Sequence, residues 1–307
     1  MDFFVQQIVN GVTLGSVYAL LALGYSMVYG ILKLLNFAHG DVYMIGAFIG
    51  YGVLTVFGGA ASPSIPVPLL IVFMFGSAMI GCGLLGIGIE RFAYRPLRNA
   101  PRIAPLISAL GVSFFLQNAA LLLFSPNFRS YGSFDFYGGS LFLPLHAGVL
   151  KISPLRILVI ASAIGLMVAL TLFVARSQLG KAMRATAFDR EAAAMMGIDV
   201  DRVIVATFFI GSALAGAAGV MQGLVFQNVS HTMGFFAGLK AFTAAVVGGI
   251  GNIPGAMLGG LLIGLAESFS KGYLPSQWSD LIVFAILISV MLIRPTGLLG
   301  RADIKKV

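Results

Sequence analysis

The chain has 307 residues, 59% of them hydrophobic and only 10% charged, with a mean hydropathy of +0.98 and a net charge of +8. A soluble domain carries about 25% charged residues, so this composition excludes a soluble globular fold and makes lipid the solvent for most of the chain. Backbone in lipid must satisfy its own hydrogen bonds, and long, non-alternating Leu/Ala/Gly/Ile/Val runs select helices over a closed barrel.

The first span is expected at about 8–29 and is retained, because MDFFVQQIVNGVTL has neither a basic leader nor a cleavage site. Gly11, Gly15 and Ala19 form a small-residue stripe on it, suited to close packing within the chain. Next, LLNFAHGDVYMIGAF clusters Asn36, His39 and Asp41 between two apolar spans. A metal site would need a further firm ligand nearby, and none is present. Two readings stay open: a helix boundary capped by Asn36 or Asp41 with a turn at Gly40, or a broken helix lining a translocation path.

A span at about 42–58, a Gly/Pro turn at 58–68 and a span at about 67–90 follow. The last ends in ERFAYRPLRNAPR, where Arg91, Arg95, Arg98 and Arg102 face only Glu90, a marker of the cytoplasmic side that could also meet acidic lipid headgroups. The fourth span, about 103–124, holds Gln117 and Asn118, amides suited to interhelical hydrogen bonds. Residues 125–153 form a loop poor in Lys and Arg, expected outside, and the fifth span is about 154–175.

Residues 176–202, RSQLGKAMRATAFDREAAAMMGIDVDR, hold nine of the chain's thirty charged side chains. Ser177 is placed to cap a short helix running to about Ala187, and Asp189 a second with Glu191 in its first turn. Phe188, Ala192, Met195 and Met196 recur at i, i+4, i+7, i+8 and share one apolar face, with Lys181, Arg184 and Arg190 supplying a basic side. Gly197 fits the stop, Ile198 its apolar contact, and Asp199 or Asp201 the cap of the next helix. An exposed, Met-rich face on a capped knob reads as a docking surface for a soluble motor.

The sixth span is about 203–226, with Gly219 and Gly223 at packing spacing. In 238–268 two marginal apolar arms meet at GGIGNIPG, the sign of a broken helical hairpin; the last span is about 280–293, before Arg294, Arg301, Lys305 and Lys306. Placing 30–40, 91–102, 176–202 and the C-terminus inside collects about fourteen of the nineteen basic residues there, leaves the N-terminus outside, and requires the hairpin to enter and leave from outside. This distribution argues against nucleic acid as a partner. The likeness of Phe37-Ala38-His39-Gly40 to Phe236-Ala237-Gly238 hints at an inverted repeat with the two sites on opposite membrane faces. The fold class expected is an all-α polytopic membrane protein of about eight transmembrane helices. The broken-helix segments nominate Asn36, His39, Gly40, Asp41, Gly248, Gly249, Gly251 and Asn252 for the solute path.

No Walker A, HExxH, paired-Cys or GxSxG motif occurs, and His39, His146 and His231 are far apart, so no catalytic set, metal or cofactor is expected. The lone Cys82 sits in an apolar run and allows no disulfide. Only Asp41 and Glu267 are candidate intramembrane acids, which disfavours proton coupling and leaves the energy to a partner.

The blocks NGVTLGSVYALLALGYSMVYG, LNFAHGDVYMIGAF, ERFAYRPLR, LGKAMRATAFDREAAAMMGI, FAGLKAFTAAVVGGIGNIPGAMLGG and RPTGLLGR resemble, in this order and over nearly the whole chain, the LivH-type permease subunit of bacterial branched-chain amino-acid ABC importers. The resemblance implies one permease domain over 1–307 in the bacterial inner membrane. Its implied partners are a LivM-like second permease, two ABC ATPase subunits and a periplasmic amino-acid-binding protein. Gly180, Arg184, Ala185, Asp189, Ala192 and Gly197 match the family's coupling-loop pattern, and Met195 joins them from the apolar face. Related permeases serve urea, short amides or other amino acids; a passive channel is the alternative from another class.

Overall fold

The computed structural model describes residues 2–300 except 61, 99, 102, 133–140 and 146–147; Arg102, His146, Arg301, Lys305 and Lys306 therefore lie outside the described residues. Eleven α-helices are described: α1 (Asp2–Leu32), α2 (His39–Val56), α3 (Val67–Ile89), α4 (Ile103–Phe124), α5 (Pro154–Arg176), α6 (Gln178–Phe188), α7 (Arg190–Met195), α8 (Val200–Phe226), α9 (Met233–Gly248), α10 (Ile253–Tyr273) and α11 (Trp278–Ile293). Of these, α1, α3, α4, α5, α8 and α10 are long and apolar enough to cross a membrane, and α9 and α11 are shorter apolar helices. The expected loop after α4 carries a hairpin of β2 (Leu141–Leu145) and β3 (Gly148–Ile152), following β1 (Arg129–Ser130), which pairs antiparallel with β4 (Asn228–Val229).

Helices α1 and α8 form the centre. In its most apolar stretch α1 is 94% buried, against 22% for α4 and α5, whose outer faces (Phe114, Phe115, Leu122, Leu123, Ile164, Val168) are left to lipid. Small residues let the central backbones touch. A Cβ on Gly264 of α10 would lie 2.2 Å from the Gly15 Cα, and one on Gly260 2.4 Å from the Ala19 Cα, so the stripe expected on the first span packs within the chain. Gly216 of α8 meets Ala78 and Cys82 of α3 in the same way.

These pairings repeat with the direction reversed. Helix α1 packs on α10 as α8 packs on α3, and α2 sits against α3 as α9 sits against α10. Arg190 of α7 reaches the Ile31 carbonyl, so α1 ends where α8 begins, at the knob end of the bundle that carries α6 and α7. The second half is thus an inverted copy of the first.

The two short helices of this repeat, α2 and α9, start inside the bundle. His39 packs against Gly24 of α1, and Asp41 bonds Ser113, midway along α4. A Cβ on Gly40 would fall 2.3 Å from the Gly234 carbonyl oxygen and 2.8 Å from the Gly238 Cα. The Phe37–Gly40 and Phe236–Gly238 segments therefore meet at the centre, which corrects the expectation of opposite faces. The two helices thus meet by their first turns, through Gly40, Gly234 and Gly238.

The hairpin enters and leaves at the far end, opposite the knob, but its arms are unequal. Helix α9 has 16 residues and α10 has 21, enough for a full crossing. Its tip reaches the knob end, where Gly251 N–H donates to Ser26 Oγ at 2.8 Å. At the far end Tyr131 is driven between α2 and α8, its hydroxyl donating to the Ala47 carbonyl at 2.6 Å, and Gly50 and Gly223 leave room for the ring. Gly223 thus serves a tyrosine rather than a helix.

Candidate coupling surface and solute path

The knob is built largely as its sequence dictates. Ser177 Oγ accepts from Gly180 N–H at 2.9 Å, and Asp189 Oδ1 accepts from the amides of Glu191 and Ala192 at 3.1 Å. Gly197, at φ +82°, ends α7 with its N–H on the Ala194 carbonyl and the Ile198 N–H on the Ala193 carbonyl, a Schellman stop. Of the two acids offered as the next cap, Asp199 accepts from Arg202 N–H at 3.1 Å, while Asp201 takes Arg95 at 2.9 Å and also pairs with Arg98.

Phe188, Met195 and Met196 project from this scaffold at 84%, 81% and 82% exposure, while Ala192 and Ala185 are half-buried beside them. On the basic side Lys181 is exposed, but the two arginines are not free. Arg184 folds back to donate to the Val174 carbonyl at the end of α5, and Arg190 Nε donates to the Ile31 carbonyl at 2.9 Å. Both cations sit on the carbonyl ends of long helices, where the backbone dipole favours them. Gly180 lets α6 lie against α5; a Cβ there would meet the Val174 oxygen at 2.4 Å. Arg98 also bonds Glu90, buried in a π-turn (Glu90–Tyr94) that prolongs α3, so α3 and α8 are tied together beside the knob. The knob is therefore fastened to the ends of α1 and α5, beside the start of α8.

The eight residues nominated for the path fall into two separate places. Asn36, His39, Gly40 and Asp41 lie at the half-helix junction and are all buried. Neither Asn36 nor Asp41 caps α2: Ala38 holds the cap position without a side-chain bond. Asp41 instead accepts from Ser113 Oγ, which also receives Gln117 Nε2 at 3.2 Å. Asn118 turns the other way and bonds the Phe114 carbonyl of its own helix. His39 stacks edge-on to Tyr25, ring centroids 4.8 Å apart. Asn36 Oδ1, His39 Nε2 and one oxygen of Asp41 have no hydrogen-bond partner among the described residues. The second group, Gly248, Gly249, Gly251 and Asn252, lies at the knob end. Asn252 Oδ1 caps α10 on Gly255 N–H at 3.4 Å, its Nδ2 donates to the Leu299 carbonyl at 2.6 Å, and Leu299 N–H donates to the Gly248 carbonyl at 3.0 Å. This group latches the hairpin tip to the segment after α11.

One polar cluster escaped the sequence reading. Lys240 of α9 reaches Glu267 at 2.8 Å and Asp280 at 2.7 Å; Glu267, fully buried, also takes Lys271 at 2.6 Å and the Tyr18 hydroxyl at 2.9 Å. The signal was a lone lysine and a lone acid inside one apolar segment, since such charges persist only when paired. The cluster ties α9 to α1, α10 and α11.

Residues 7–291 match the model of a family described as the branched-chain amino acid transport system / permease component. The chain belongs to that family. It is 46% identical to the high-affinity branched-chain amino acid transport system permease protein BraD of Pseudomonas aeruginosa, over 99% of this chain and 98% of the relative. It is 45% identical to the permease protein LivH of Escherichia coli K12, with the same coverage. A probable branched-chain amino acid transport permease protein LivH of Methanocaldococcus jannaschii is 29% identical over 94% of this chain and 89% of its own. No solved structure matches the chain. As a permease of this family it is an all-α, multi-pass membrane protein.

Proposed function

We propose that residues 1–307 act as one permease domain of an ABC importer for leucine, isoleucine and valine, driven by separate ATPase subunits. The observation that carries the motor-driven reading is the knob: a capped pair of short helices whose arginines grip the bundle while Phe188, Met195 and Met196 stay exposed. An apolar face that costs solubility when bare, on a lever fixed to α1, α5 and α8, fits a surface covered by a partner that moves. The absence of a P-loop in the sequence puts ATP binding in that partner. A second, LivM-like permease completes the path, and a periplasmic binding protein delivers the solute. The substrate class follows the names of the BraD and LivH relatives.

The knob end faces the cytoplasm of the bacterial inner membrane in this reading, because Arg91, Arg95, Arg98, Arg176, Lys181, Arg184 and Arg190 gather there. Closure of the ATPase pair pushes the knob, and the inverted halves rock about the junction of α2 and α9. Met195→Asp or Ala192→Asp in the reconstituted importer is expected to abolish ATP-driven leucine uptake while ATP hydrolysis continues and the bundle melts as before. Undiminished uptake by the Met195→Asp importer would overturn the docking assignment.

A further inference from the structure

At the far end, between α1, α5, α8 and α10, a cavity of about 270 Å³ opens beneath the N-terminal turns of α1. Drug-sized ligands occupy roughly 300–1,000 Å³, so this space suits one small molecule. Its wall has two chemistries. Leu14, Val225 and Phe226 make an apolar side, and Gln7, Asn10 and Arg156 a polar one.

Arg156, half-buried in the first turn of α5, donates to Asn10 Oδ1, an oxygen already shared with Gln6 Nε2 at 3.3 Å. No carboxylate among the described residues pairs with it. The nearby acid, Glu267, is fully buried and committed to Lys240, Lys271 and Tyr18, so it does not neutralise Arg156. Lys271 on the cavity rim is already paired with Glu267 at 2.6 Å, which leaves Arg156 as the cation without a carboxylate among the described lining residues. A guanidinium held by one amide keeps most of its donor fork for a planar anion, and Arg–carboxylate pairing is the strong, geometrically specific form of that contact. Ser268 orders the floor by donating to the Gln7 carbonyl at 2.8 Å and to Gln7 Oε1 at 2.9 Å.

We infer that this cavity is an entry subsite for a free α-amino acid, with Arg156 receiving the α-carboxylate and Leu14, Val225 and Phe226 the aliphatic side chain. The inference rests on the reading of the chain as an amino-acid permease and adds the place where solute first touches it. The position suits that role, because the mouth lies at the end opposite the knob, where a delivered solute arrives. A lipid phosphate has related anionic chemistry, so the test separates the two.

The complete importer is placed in phosphatidylcholine nanodiscs without its binding protein, and ligand contact is read by saturation-transfer NMR. Leucine is expected to bind and leucinamide, which lacks the carboxylate, to bind about tenfold more weakly, the loss expected of a charge-assisted hydrogen bond. Arg156→Gln should weaken leucine by about the same factor, Arg156→Lys should recover most of it, and Val225→Phe should exclude leucine more than alanine. Equal leucine binding by wild type and Arg156→Gln overturns the subsite. So does competition by added phosphatidylglycerol that Arg156→Gln abolishes while leucine is untouched, which would make the cavity a lipid site. Parallel uptake measurements keep the two readings apart: discrimination of leucine from leucinamide without ATP-driven leucine uptake would leave the subsite standing and sink the substrate class.

Discussion

At the scale of single residues, the bundle depends on absent side chains more than on present ones. Gly264 meets the Gly15 backbone so closely that any Cβ would displace α1 or α10, and the obstacle is backbone rather than a yielding side chain. Overpacking of this kind costs about 1–3 kcal/mol and often more where backbone must shift. Gly264→Val is therefore expected to lower the melting temperature of the purified permease sharply, whereas a β-branched residue at Gly88 or Gly111, where a Cβ meets nothing, should leave it nearly unchanged. Charge obeys a similar economy. Lys240 is little exposed and bridges two carboxylates, so Lys240→Met leaves buried Glu267 with one cation, Lys271, beside the Tyr18 hydroxyl. Removing one partner of a buried pair costs about 3–5 kcal/mol, while removing both together costs less. Denaturation of Lys240→Met, Glu267→Gln and the double variant should accordingly show strong coupling; additive losses would mean that the pair contributes little.

Elements differ in how openly the sequence announces them. The knob was legible almost residue by residue, because caps, a glycine stop and an i, i+4, i+7 face are local chemistry: Ser177, Asp189, Gly197 and Asp199 all do what their positions suggested. Its basic side was not, since where Arg184 and Arg190 point depends on carbonyls of α5 and α1 that are distant in sequence. The half-helices were legible only as breaks. Asn36 and Asp41 looked like caps on a local reading, but Asp41 is claimed by Ser113, 72 residues away, and the α2 terminus carries no side-chain cap. The hairpin was seen from its glycines and Pro254, yet its depth is set by Ser26 and the turn at Leu298–Leu299.

For the whole molecule, the inverted repeat offers two related arrangements of one set of contacts, which is what alternating access requires. Orientation can be tested directly, because Cys82, the chain's single cysteine, is buried and should not react with aqueous maleimide in the folded protein. Met195→Cys is expected to label in inside-out vesicles and not in intact spheroplasts, and Tyr273→Cys the reverse; labelling of both from one side would invert or break the topology.

The sequence by itself determined the solvent, the helical class, the positions of most spans, the architecture of the knob and the family. These follow from composition, periodicity and capping, which act within a few residues. Tertiary structure alone decided that the two broken segments meet at the centre, that the nominated path residues divide between a buried junction and a latch, and that Lys240 finds Glu267 and Asp280. The physical reason is that lipid penalises every unpaired charge and bare amide alike, so polar groups must find partners, but which partner each one finds is fixed only when distant helices are brought side by side.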